Sequence, residues 1–248
     1  MRALISCLLL FGWLHAPLAC AETYQIVTEE WAPYNYNEQG KIRGMATDIV
    51  RAVMHLAGDD FEIIMLPSMR TVHVLQTRPK TIMYSLFRTP EREALYKWVG
   101  PIVEESIHPY QLRSAPQRVT TLAELRQARR ITTRIAGLVP NVLQTAGFQN
   151  LDRSANSSEQ LYRMLLAGRT EIIVGDTDAG VRYYSQQLGI SAATLQKIPV
   201  EIYKSSLYIA FSRDCDDALI ARWADALAQL RRTGIMQIIQ QRYEPPTD

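Results

Sequence analysis

Cysteine is scarce in this chain, three in 248 residues. Two of them, Cys7 and Cys20, fall in an N-terminal stretch that reads as a secretory signal peptide. Arg2 is its lone charge, Ala3 to Trp13 is almost wholly apolar, and Ala19-Cys20-Ala21 is a small-residue cleavage site. Cleavage is expected after Ala21. A rival cut that lipidates Cys20 is less favoured, because Pro17-Leu18-Ala19 makes a poor lipoprotein box. With residues 1–21 removed, Cys215 stands alone, which excludes an intrachain disulfide and leaves stability to a packed core. Its acidic setting, Arg213-Asp214-Cys215-Asp216-Asp217, should raise the thiol pKa and disfavours catalytic use. A strong charge bias is also missing: the net charge is +2 with 21% charged residues, which gives no footprint for nucleic acid. Beyond the N-terminal stretch no run is long and apolar enough to span a bilayer. Catalytic signatures are absent too, with no G-x-S-x-G, no H-E-x-x-H and no phosphate-binding glycine loop. His55, His73 and His108 are scattered without neighbours at metal spacing.

What is there is an alternation of apolar runs and helical periods. Tyr24 to Thr28 reads as a strand, Asn37 to Gly40 as a turn, and Met45 to Ala57 as a helix closed by Gly58. A strand over Phe61 to Leu66 follows, then a helix from Ser68 to about Thr77, then a buried strand over 81–85. This β-α-β-α-β order predicts a mainly parallel sheet with covering helices. From Trp98 to about Leu112 the chain is extended, carries Pro101 and Pro109, and reads as a connection to a second lobe. That lobe shows a capping box at Thr121-Leu122-Ala123-Glu124 and a strand over Ile131 to Ile135. A helix opened by Gly137 and Pro140 and another capped at Ser157 precede a buried strand over Glu171 to Val174. A helix through Val181, Tyr184 and Leu188 follows. Two extended pieces come next, Ile198 to Tyr203 and Ser206 to Phe211. The chain closes with a helix over Ala218 to Arg232, a short one over Ile235 to Tyr243, and a frayed tail from Glu244.

Ligands of open α/β sheets sit at the carboxyl ends of strands. The strand at 81–85 runs into Ser85-Leu86-Phe87-Arg88-Thr89-Pro90-Glu91-Arg92, so Arg92 is placed to offer a planar fork to a carboxylate or phosphate. The competing reading is a surface arginine in a turn. Trp31 and Tyr34 follow the first strand, and Ser85 and Phe87 share the Arg92 edge. In the second lobe, Ala136-Gly137-Leu138 can present backbone N–H groups at a helix start, and Asp176 can take a cation. An arginine, an aspartate and an aromatic face would suit a zwitterion such as an amino acid. Asp176 reads equally well as a helix N-cap, and Trp31 as plain core. Asp176 with Asp178 is too small a set to argue for a metal.

The chain resembles the family 3 extracellular solute-binding proteins, the amino-acid-binding group of bacterial ABC importers. The likeness rests on Trp31-Ala32-Pro33-Tyr34, Gly40-Lys41-Ile42-Arg43-Gly44 with Asp48-Ile49, and Thr89-Pro90-Glu91-Arg92 followed by Trp98-Val99-Gly100-Pro101. Thr121 to Leu125, the Gly168 to Asp176 run and the C-terminal helix pair extend it over nearly all of the mature chain. It implies an α/β, type II periplasmic-binding-protein fold, two α/β lobes joined by two crossing strands. Residues 22–103 with 206–248 would form lobe one and 104–205 lobe two, hinged near 103–107 and 201–206. It implies that Arg92 holds a ligand α-carboxylate, Asp176 its amino group, and that Trp31 packs on the ligand, with Ser85 and the backbone near Phe87 hydrogen-bonding it. It further implies a periplasmic monomer, without cofactor or metal, that hands a small-molecule ligand to an inner-membrane ABC permease. Three departures point to a reshaped pocket: Leu138 where hydroxyl residues are usual, Ser68 in place of a second aromatic, and Phe87 in place of a small hydroxyl residue. Two alternatives stay open. One is a periplasmic lyase like cyclohexadienyl dehydratase, for which Glu29 and Glu30 are the only evident acid–base candidates. The other is a ligand-sensing module.

Overall fold

The computed structural model describes residues 24–243, so the signal-peptide and Cys20 expectations and the tail lie outside the described residues. The chain enters through β1 (Gln25–Thr28), turns through a hairpin of β2 (Tyr36–Glu38) and β3 (Lys41–Arg43), and continues into α1 (Met45–Ala57). Next come β4 (Ile63–Met65), α2 (Ser68–Thr77), β5 (Thr81–Phe87), the one-turn α3 (Pro90–Glu93) and the long β6 (Lys97–Ile107). A second set follows: β7 (Tyr110–Leu112), α4 (Leu122–Gln127), β8 (Ile131–Arg134), α5 (Leu138–Thr145), β9 (Leu151–Ala155), α6 (Ser158–Leu166), β10 (Ile172–Ile173), α7 (Asp178–Gln187) and β11 (Leu195–Lys197). The chain returns through β12 (Tyr203–Phe211) and ends in α8 (Asp217–Arg232) and α9 (Ile235–Gln241).

These elements build two five-stranded sheets, ordered β4-β1-β5-β12-β6 and β11-β7-β10-β8-β9. In the first, β1 runs parallel to β4 and β5, and β12 is antiparallel to β5 and β6. In the second, β8 runs parallel to β9 and β10, while β7 is antiparallel to β10 and β11. The outgoing and returning strands lie side by side, from Tyr203 opposite Ile107 to Phe211 opposite Lys97. The two extended pieces expected over 198–211 thus form one strand, β12, preceded by irregular chain whose Ile202 N–H donates to the Ile107 carbonyl.

The first core explains why its strands read so clearly. Every residue of β5 is buried, as a central strand covered on both faces requires. Trp223 of α8 is fully buried between Phe211 and Phe61, and its indole N–H donates to Asp59 at 2.8 Å. Burying each such side chain contributes about 1.5–3 kcal/mol. The Thr121 capping box forms as expected, with Glu124 reaching back to the Thr121 N–H. Cys215 is buried at the start of β5, its thiol 3.7 Å from the Thr81 carbonyl oxygen, and burial is the leading cause that raises its pKa, with its acidic neighbours adding to it.

Candidate functional site

The carboxyl ends of β1, β5, β8 and β10 converge between the sheets. Past β1 the chain folds back at Trp31, whose N–H donates to the Asn35 carbonyl at 2.7 Å, while Asn35 in turn donates to the Glu29 carbonyl. This turn is fastened to α1. Gly44 at its N-cap has φ +124°, and the first amides of α1 donate to the Pro33 and Tyr34 carbonyls. The indole ring of Trp31 lies 4.7 Å from Tyr34 and 5.7 Å from Phe87, ring centre to ring centre.

At the end of β5 the ladder with β12 slips between Tyr208 and Ala210, and Ser85 adopts φ +61°. A non-glycine residue in that region costs about 1–3 kcal/mol and persists where the surroundings over-determine it. The bulge re-aims the strand end, a recurrent device beside binding sites. The Ser85 hydroxyl is buried without a hydrogen-bond partner, and so is Oε2 of Glu29. Two residues past β5, Thr89 opens α3, which carries Arg92. The guanidinium of Arg92 is half-buried and donates to the Phe87 carbonyl at 3.1 Å, and it has no ion-pair partner among the described residues. Burial lowers its pKa, yet an arginine remains charged.

From the other sheet, β8 ends in Arg134 and the chain turns at Gly137 into α5. No side chain caps α5, so its first amides are left for an outside acceptor. Ser85, Phe87, Arg92, Trp31, Gly137 and Leu138 all line one narrow cavity of about 50 Å³, together with Glu29, Ser68 and Arg134. It adjoins a wider cleft of about 880 Å³, and Glu29, Ser68 and Arg134 line both. Glu30 lines only the wider cleft, accepts from the Asn37 N–H at 3.0 Å, and has its pKa raised by burial.

Two residues expected in the site sit elsewhere. Asp176 is buried just behind the cavity wall and is already bonded: Ser158 Oγ and Trp31 Nε1 donate to Oδ1 at 2.7 and 3.2 Å, and Tyr162 OH to Oδ2 at 3.1 Å. Burial raises its pKa against the opposing charge of Arg134 and these three donors. Thr177, not Asp176, caps α7, accepting from the Gly180 N–H. Asp178 is engaged separately by Tyr110 and Lys197 and shares no partner with Asp176. Tyr34 is also outside the wall, with its hydroxyl 2.6 Å from Thr177 Oγ1. Both residues therefore join the lobes directly. Ala32 packs into the second lobe's core, and Tyr36 meets Tyr183 at 5.1 Å. Gly180 lets this approach happen, since a Cβ there would meet the Ala32 carbonyl at 3.4 Å and Asp176 Cβ at 2.9 Å. Arg134 is not singled out by the sequence patterns, although the strand-end rule that marks Arg92 applies equally to β8.

A family model described as bacterial extracellular solute-binding proteins, family 3, matches residues 25–246. Among solved structures, a histidine kinase sensor domain with similarity to periplasmic binding proteins superposes with TM-score 0.79 at 20% identity. The match covers 89% of this chain and 95% of that one. The arginine-, lysine-, histidine-binding protein ArtJ from Geobacillus stearothermophilus gives TM-score 0.75 at 20% identity, over 90% and 97% of the two chains. The GluR0 ligand-binding core from Nostoc punctiforme, in complex with L-glutamate, gives 0.77 at 14% identity, over 90% and 100%. No curated protein matches the chain.

Proposed function

The chain belongs to the bacterial extracellular solute-binding proteins, family 3, with the type II periplasmic-binding-protein fold, and from that membership we propose that it captures an amino acid or a related small carboxylate between its lobes in the periplasm and delivers it to an ABC permease. The single observation that carries the reading is Arg92. It is a half-buried guanidinium with no carboxylate partner among the described residues, set beside an unpartnered Ser85 hydroxyl in a cavity walled by both lobes. A ligand carboxylate supplies the missing acceptor. Residues 22–103 with 206–248 act as one lobe and 104–205 as the other. Their closure is a hinge motion of the paired β6 and β12 near 103–107 and 201–206, biased by a ligand that touches both sides.

A thermal-shift screen with amino acids, polyamines and organic acids tests this, because a ligand that binds only the folded state must raise the midpoint. Arg92→Ala should weaken the best hit by about 30-fold or more, the usual scale for deleting one partner of a desolvated charged pair. It should leave the unliganded midpoint nearly unchanged, since its only hydrogen bond among the described residues goes to Phe87. A hit that binds the variant as tightly as the wild type sinks the Arg92 assignment. The likeness to a kinase sensor domain supports a second reading, in which the closed lobes signal to a docked receptor in place of a permease.

A further inference from the structure

The charged side chains around the cleft divide into satisfied and unsatisfied groups. Asp176 is satisfied three times over and lies behind the wall. Glu159, at the rim of the wider cleft, is paired with Arg163, and Glu30 accepts from Asn37. Three groups are left. Among the described residues, Arg92 has only a backbone acceptor. Arg134, half-buried, has no hydrogen bond or ion pair with any described residue, and it lines both the narrow cavity and the wider cleft. Glu29, which lines both spaces from the opposite lobe, holds a buried oxygen with no donor. The first amides of α5, beside Arg134, add further positive potential on the same side.

We propose that Arg134 is a second anion anchor and that the ligand is an acidic amino acid, with one carboxylate on Arg92, the other on Arg134 and the ammonium on Glu29. The inference deepens the reading of this cleft as the ligand site and rests on it. Two guanidiniums without a salt bridge among the described residues and one carboxylate oxygen without a donor leave places for two anionic groups and one cationic group, although Arg134 also feels the buried Asp176 behind the wall and Arg92 feels Glu29. A neutral amide would leave Arg134 unmatched in the closed cleft, and a basic side chain would be repelled by it. Having the two arginines on different lobes also means that a ligand with two carboxylates ties both sides at once, the requirement for closure.

Isothermal titration of the protein with L-glutamate, L-aspartate, L-glutamine, L-asparagine and L-arginine reads this directly. One of the two acids should bind at least about tenfold tighter than its own amide, the scale of one additional charged pair. Arg134→Gln should bring acid and amide to within about threefold, by weakening the acid and relieving the amide of an unmatched charge, and Arg134→Lys, which keeps the charge, should retain part of the preference. An amide that binds as tightly as its acid, tightest binding of L-arginine, or an acid preference that survives in Arg134→Gln each overturns the second anchor and leaves amino-acid binding standing. Absence of binding by all five probes overturns the anchor, and if the thermal-shift screen with organic acids and polyamines also finds no hit, the cleft reading falls with it.

Discussion

Asp176 is the residue whose setting says most about its role. The resemblance implies that it meets a ligand amino group, whereas the structure bonds it to Trp31, Ser158 and Tyr162 and buries it behind the wall. No pattern of residues along the chain reveals such crowding, because Trp31 is 145 positions away. Its pKa is raised above the ordinary carboxylate value, with burial the leading cause. The sign follows: the folded state holds the proton more tightly than the unfolded state. The stability this group contributes is therefore fully present below the ordinary value of 3.8 and is lost as pH rises through the folded pKa. Asp176→Asn removes the titration. The stability of the wild type relative to this variant should thus be higher near pH 4 than near pH 7, measured by urea unfolding at each pH. A difference that stays flat across that window, or grows with pH, would mean that desolvation does not dominate at this carboxylate.

At the scale of elements, helices with one apolar face are legible in the sequence and polar edges are not. Met45–Ala57 forms α1 with the bounds its spacing predicts, because Ile49, Val50, Val53 and Met54 all face the core and Gly58 closes it in the left-handed region. The β9 strand leaves no such signal, because Asp152, Arg153 and Ser154 make it a polar sheet edge with Ala155 its one buried residue. The β2–β3 hairpin reads only as a turn for the same reason, since most of its residues are exposed. The one-turn α3 is too short to show a period. Of the site, the strand-end residues are legible and their partners are not. Gly44 carries the geometry that links helix to site: φ is +124°, and a Cβ would clash with the Tyr34 carbonyl oxygen, which accepts from the α1 amides. Gly44→Ala therefore has to move the backbone of the Trp31 turn. It should cost at least about 1–3 kcal/mol of unfolding free energy and weaken ligand binding as well. Chemical denaturation and titration of the same variant check both, and an alanine tolerated without loss of either would mean that this turn is not fixed by α1.

For the whole molecule, what matters is how the two lobes are held together with the cavity between them. The seam consists of Trp31 with Asp176, Tyr34 with Thr177, Tyr36 against Tyr183, and a bridge between Ile107 and Thr177. Ala32, packed into the second lobe's core, adds to this seam, and the hinge strands and whatever occupies the cleft complete the connection between the lobes. Free energy in the seam is present only when the lobes are together, so weakening it lowers the population competent to enclose a ligand. Tyr34→Phe isolates this effect. The ring that packs against Trp31 is kept, Thr177 keeps the Gly180 N–H, the altered hydroxyl lies outside the cavity wall, and the hydrogen bond to Thr177 is lost along with the hydroxyl's interaction with Glu105. Such a bond is worth about 0.5–1.5 kcal/mol, so apparent affinity should fall by about 2–10-fold, with faster dissociation and no change in ligand preference. Small-angle scattering of the unliganded variant should show a larger radius of gyration than the wild type, and saturating ligand should bring the two together. If affinity falls while the free radius stays the same, the Tyr34–Thr177 contact acts on the pocket and not on closure. If neither changes, the seam is incidental and the ligand alone draws the lobes shut.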